Sequence, residues 1–167
     1  KEISPYLEEM LRQDPENLNL KVRLGIIYSE NNKYNEAINV FKSILKKVPD
    51  SDRVLYYLGA LFQQTNQASK AISYYSKIPP TSSLYFDSNL QLGFLLRQEA
   101  VSKNEMDKSI NQITSLLSKI PFDHEESYRL KKELNFYKAY IRFDFEKIDE
   151  ALATINSNYK EDELNTD

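Results

Sequence analysis

Apolar residues recur at helical spacing along most of the chain, and short polar breaks divide the pattern into segments. Pro5 to Gln13 carries an apolar stripe of Ile3, Leu7, Met10 and Leu11 and stops at Asp14-Pro15-Glu16-Asn17. Leu18 to Asn31 reads as a helix that breaks at Asn31-Asn32, and Tyr34 to Val48 resumes through Ala37, Ile38, Phe41 and Leu45. Pro49-Asp50-Ser51 ends that segment and offers Asp50 or Ser51 as the next N-cap. A second pair runs over Asp52 to Thr65 and Gln67 to Ile78, where Pro79-Pro80 stops it about a turn early. The next helix is expected from near Ser82, with a lengthened turn over Ala100 to Glu105. A fourth pair is expected over Glu125 to Phe143 and Lys147 to Asn156. No segment sustains the alternation of a strand.

These pairs repeat. The three glycines of the chain, Gly25, Gly59 and Gly93, stand 34 residues apart. Leu24, Leu58 and Leu92 precede them, and Tyr28, Phe62 and Leu96 follow three residues later. Ala37 and Ala71, Phe41 and Tyr75, and Pro15 and Pro49 keep the same step. Several columns in one register define an internal repeat. A mid-helix glycine costs about 1 kcal/mol of helix propensity relative to alanine, so its recurrence asks for a packing reason. Small residues at Gly25 and Ala37 let the two helices of a hairpin approach closely, with Tyr28 and Phe41 filling the space beside them. Ser109 takes the small-residue position in the third unit; Ala151 and Ile155 hold second-helix positions in the fourth.

Leu24-Gly25-x2-Tyr28, Ala37-x3-Phe41 and Pro49, then Leu58-Gly59-x2-Phe62 and Ala71-x3-Tyr75, resemble the tetratricopeptide repeat. The position that holds Trp in that family carries Lys21, Leu55 and Asn89 here. The resemblance implies an all-α, right-handed α-solenoid of stacked antiparallel helix hairpins. It reads as a single domain over 1–158: a half repeat at 1–15, repeats at about 18–51, 52–85 and 86–123, a degenerate repeat at 124–158, and a disordered tail at 159–167.

The resemblance also implies that the first helix of each hairpin lines a concave face. The positions concerned are Asn19, Val22, Ile26 and Glu30 in the first full repeat, Arg53, Tyr56, Ala60 and Gln63 in the second, and Asp87, Leu90, Phe94 and Arg97 in the third. Steps of three and four keep each group on one helix face. Val22, Ile26, Tyr56, Leu90 and Phe94 would make an apolar floor and the charged and amide side chains a rim, a surface suited to a peptide or helix of a partner protein. The alternative use of the same residues is packing within the array. The Lys and Asn clamp by which chaperone-binding members hold a C-terminal carboxylate is not matched, since its positions hold Val22, Ile26, Tyr57, Asp87 and Gln91, none of them cationic. Tyr128, Phe136, Tyr137, Tyr140, Phe143 and Phe145 give the fourth unit two apolar stripes, most simply read as core.

Composition narrows the function. The 167 residues include 41% apolar and 28% charged side chains, enough to bury a core. A net charge of −3 and a pI near 5.4 give no general basic surface for a nucleic-acid backbone, so no nucleic-acid partner is expected. The longest apolar run, Val54 to Phe62, falls far short of a membrane span. With no cysteine there is no disulfide, thiolate nucleophile or sulfur-bound metal, which fits the cytoplasm and an exported protein equally. The first residue is Lys1, so the chain is expected to be a piece of a longer product. The single histidine, His124 in Asp123-His124-Glu125-Glu126, reads as part of an acidic helix start and not as a metal or catalytic site. A non-enzymatic protein-interaction scaffold without cofactor is the reading that follows. The runner-up is a structural or oligomerisation segment that uses an open N-terminal end through Leu7.

Overall fold

The computed structural model describes residues 4–121 and 125–164. Among these residues there are nine helices and no strand. Where one domain is expected, the chain divides into two compact units, Lys1–Leu84 and Tyr85–Asp167.

Unit 1 contains α1 (Ser4–Gln13), α2 (Leu18–Glu30), α3 (Tyr34–Leu45), α4 (Asp52–Gln64) and α5 (Ala68–Tyr75). Each helix packs against the next, so α2–α3 and α4–α5 are hairpins and α1 is the half repeat. Asn17 caps α2 by accepting the Leu20 N–H at 3.1 Å. Ser51 occupies the N-cap position of α4 but makes no side-chain cap bond; Asp52 instead accepts the Arg53 N–H. Unit 2 contains α6 (Tyr85–Lys103), α7 (Met106–Leu117), α8 (Glu125–Asp144) and α9 (Ile148–Leu164). Here α6 packs on both α7 and α8, α7 on α8, and α8 on α9. Helix α9 runs on to Leu164, where a tail from residue 159 is expected; no glycine or proline lies between Ile148 and Leu164 to stop it.

All four hairpins turn in the same way. Asn32, Asn66, Asn104 and Glu146 have φ between 55° and 60°. The next residue in each case bonds back to the carbonyl five positions earlier: Lys33 to Tyr28, Gln67 to Phe62, Glu105 to Ala100 and Lys147 to Arg142, at 2.8 to 3.0 Å. That left-handed residue and its back-bond are the Schellman ending of a helix. The lengthened turn expected over residues 100–105 is therefore absent. Four extra residues are absorbed as about one further turn of α6, and the hairpin closes on Asn104 in the usual manner. Counted from the left-handed residue, Ala37, Ala71, Ser109 and Ala151 share one position, and all four are buried.

The glycines in unit 1 behave as the repeat requires. A Cβ on Gly25 would lie 2.7 Å from the Phe41 ring, and one on Gly59 would lie 2.6 Å from the Tyr75 ring. Each ring is buried and sits in the second helix of the same hairpin. Gly93 differs. Its Cβ would run into the Tyr137 ring and lie 3.1 Å from Leu134, both on α8. The extra turn of α6 accounts for the change, since it puts Gly93 eleven residues before the left-handed position where Gly25 and Gly59 stand seven before. In the fourth hairpin Ala139 occupies the position seven before Glu146 and is buried.

Candidate functional site

Helices α2 and α4 bury one face and leave another open. On α2, Leu24 and Gly25 are buried, while Val22 and Ile26 are half-buried and Asn19 and Glu30 exposed. On α4, Val54, Leu55, Leu58, Gly59, Leu61 and Phe62 are buried, while Tyr56, Ala60 and Gln63 are half-buried and Arg53 is exposed. All eight positions expected on the partner face of unit 1 thus remain reachable from solvent.

Two of them also support the hairpin. Tyr56 meets Tyr75 edge-on at 5.4 Å, and Gln63 accepts the Tyr75 hydroxyl at 3.2 Å. Tyr75 is the ring that fills the space over Gly59, so the glycine contact and the open face share a residue. Burial pushes the Tyr75 phenol well above its usual pKa.

The open face deepens at the start of α4. Asp52, Arg53, Tyr56, Tyr57, Ser83 and Leu84 line a cavity of about 380 Å³. Arg53 is held at its edge: Nε donates to the Tyr57 hydroxyl at 3.2 Å, and the guanidinium lies 5.7 Å from the centre of the Tyr57 ring. Tyr57 in turn stacks on Phe41 at 5.1 Å. The Ser82 hydroxyl donates to Asp52 and accepts the Leu84 N–H at 3.1 Å, which fixes the segment after Pro79-Pro80 as a wall. Asp52, Tyr57, Ser83 and Leu84 were not among the residues expected to meet a partner. Helical spacing puts Tyr57 beside the expected face, and the return of residues 82–84 onto α4 has no signature in the repeat pattern.

In unit 2, Asp87 and Phe94 are exposed and Leu90 is half-buried on α6. Arg97 is engaged within the unit. It donates from Nε and one terminal nitrogen to the two oxygens of Asp144 at 2.7 and 3.0 Å and lies 4.9 Å from the centre of the Tyr140 ring. The bonds to Asp144 raise the guanidinium pKa further. Bidentate pairing of this kind fixes the guanidinium plane, so Arg97 acts first as a strut between α6 and α8. The two stripes of α8 separate: Leu130, Leu134 and Ile141 are buried with Tyr137 half-buried, whereas Tyr140 and Phe143 are exposed.

Leu7, the apolar residue of the presumed open N-terminal end, is buried, and the Tyr28 hydroxyl of α2 donates to Glu8 at 2.9 Å. Helix α1 is thereby docked on α2. Asp123 and His124 lie outside the described residues, as does Ile3. Glu125 and Glu126 are exposed in the first turn of α8, and among the described residues no helix is long and apolar enough to cross a membrane.

The sequence profile of the tetratricopeptide repeat matches residues 3–53 and 29–82, which span α1 to α5. Unit 1 belongs to the tetratricopeptide repeat family. Solved structures of MamA share this repeat fold. One, a crystal structure of MamA, matches with a TM-score of 0.65 at 20% identity over 96% of this chain and 87% of that one. MamA from residue 41 to its end, from Desulfovibrio magneticus RS-1, matches with 0.64 at 14% identity over 98% and 86%. MamA MSR-1 matches with 0.64 at 17% over 96% and 86%. At such identities the likeness is one of fold alone. A search of curated proteins by sequence found no match. Tetratricopeptide repeats serve in general as protein-interaction scaffolds and are typically not enzymes.

Proposed function

We propose that this tetratricopeptide protein holds a peptide or helix of a partner protein on the α2–α4 face of unit 1. The observation that carries the reading is the cavity at the start of α4, where Arg53 is positioned over Tyr57 beside the half-buried Tyr56. Tyr and Arg in such settings contribute most of the energy of protein interfaces. Their side chains are already ordered by contacts within the unit, which lowers the entropy lost on binding. Val22 and Ile26 of α2 supply apolar surface on the same expected face, and Asn19, Glu30 and Gln63 supply its polar margin. Asp87, Leu90 and Phe94 offer the equivalent face of α6 in unit 2, with Arg97 already paired.

Selection of peptides from a random displayed library against the intact chain tests the proposal. Recovered peptides should lose about tenfold or more in affinity on Arg53→Glu, a change at an exposed residue that leaves the unfolding midpoint near that of the wild type. Peptides that bind the variant as tightly as the wild type would refute the assignment.

A further inference from the structure

A second surface gathers lysines of α3, of α5 and of the segment just beyond α5 around a ring pair of α4 and α5. Phe62 of α4 stacks on Tyr74 of α5, with ring centres 5.4 Å apart and planes 9° from parallel. Three ammonium groups surround this pair. Lys42 of α3 lies 5.5 Å and Lys70 of α5 5.4 Å from the centre of the Phe62 ring, and Lys77, just beyond α5, lies 5.2 Å from that of Tyr74. Lys42 and Lys70 are therefore within about 11 Å of each other.

Each of the three side chains is exposed, and the one further polar contact among them is Lys70 to the neutral Gln67 amide at 2.7 Å. None forms an ion pair with a described carboxylate. This is unusual in a chain whose net charge is −3, because an available carboxylate nearby would be drawn to them. The local sequence accounts for it: residues 37 to 80 carry six Lys and Arg against two Asp and no Glu, and Asp52 is already bonded to Ser82 and to the Arg53 amide. The rings hold the ammonium groups over their faces, so the positive charge is concentrated and partly ordered before any ligand arrives.

We propose that Lys42, Lys70 and Lys77 form a docking surface for an acidic segment of a partner protein. Charge complementarity identifies the occupant: carboxylates spaced over one to two helical turns, about 5 to 10 Å, fall within the bound of about 11 Å on the Lys42–Lys70 separation. A nucleic acid fits less well. Phe62 is only 3% exposed, and its ring is covered by Lys42 and Lys70, so no open aromatic face remains for a base to stack on. An anionic membrane fits less well again, because the large apolar side chain that unit 1 exposes among its described residues is Tyr6 on α1, not a neighbour of the lysines in sequence or in ring contacts.

The test uses the intact chain and a fluorescent peptide of consecutive glutamates, followed by anisotropy at about 20 mM salt, where screening is weak. Binding should weaken steeply as salt rises. It should fall about tenfold or more in K42Q/K70Q/K77Q and persist in K42R/K70R/K77R, which keeps the charge. Acetylation footprinting of the wild-type chain, which does not depend on the variants folding, should show the peptide protecting Lys42, Lys70 and Lys77 more than Lys33. The proposal is overturned by any of three results: no binding at low salt, equal protection of all four lysines, or tighter binding of a thymidine oligonucleotide or phosphatidylserine vesicles than of the peptide.

Discussion

Gly59 shows how a single residue is fixed by opposing magnitudes. Alanine would gain about 1 kcal/mol of helix propensity, yet its Cβ would sit 2.6 Å from the Tyr75 ring. That ring is 2% exposed, edged by Tyr56 and bonded to Gln63, so it has little room to retreat. Overpacking costs about 1 to 3 kcal/mol and outweighs the propensity gain. Gly59→Ala is expected to lower stability by about 1 to 2 kcal/mol in urea unfolding, with part of the loss recovered by adding Tyr75→Leu. An increase in stability would mean the ring moves freely. Tyr28 gives a second residue-scale expectation. Burial, and then the bond to Glu8, push its phenol up to about 12. An unfolded tyrosine ionises near 10, so above that value the unfolded state loses its proton first. Stability from this group is present below pH 10 and declines as pH rises toward 12. Tyr75, Tyr85 and Tyr137 are shifted the same way. Tyr28→Phe should make the alkaline fall in the urea midpoint shallower; an unchanged fall would show that Tyr28 is not involved.

At the scale of the helices, the turns carry a signal that the glycine and alanine columns did not reveal. The sequence marks Asn31-Asn32 as a break, and the same left-handed position recurs at Asn66 and Asn104 but is filled by Glu146 in the last hairpin. Asparagine tolerates that conformation and glutamate does not, at a cost of about 1 kcal/mol. Glu146→Asn should therefore raise stability by about 0.5 to 1 kcal/mol in thermal or urea unfolding; a loss would mean that Glu146 has a role its exposed position conceals. The helix pairs themselves were legible because apolar spacing and prolines set their limits. The extra turn of α6 was not, because a four-residue insertion keeps nearly the same helix face and reads equally well as a longer loop. For the same reason Gly93 keeps its sequence register while exchanging its partner, from the second helix of its own hairpin to Tyr137 of α8. A double-mutant cycle distinguishes the two arrangements. The cost of Gly93→Ala should shrink by about 1 kcal/mol or more when Tyr137 is truncated to Ala, and should be unaffected by Ile113→Val on α7.

Over the whole molecule, the repeat was the most legible feature, since 34-residue spacing acts on many positions at once. The division into two compact units was not, because both halves are written in the same helical pattern. The candidate face was legible as a set of positions, since helical geometry separates Val22, Ile26, Arg53 and Tyr56 from Leu24, Leu55 and Leu58. Its depth was not, because the wall formed by Ser83 and Leu84 depends on a fold-back that no local pattern encodes. The proposed partner binding rests on that face remaining open while Gly59 and Tyr75 close the hairpin behind it. Chemical-shift mapping of the intact chain with a selected peptide examines this most directly. The account predicts shifts concentrated at Val22, Ile26, Arg53, Tyr56 and Leu84, with the amides of Ala37 and Ala71 unmoved; shifts confined to α3 and α5, or spread through the buried hairpin contacts, would contradict it.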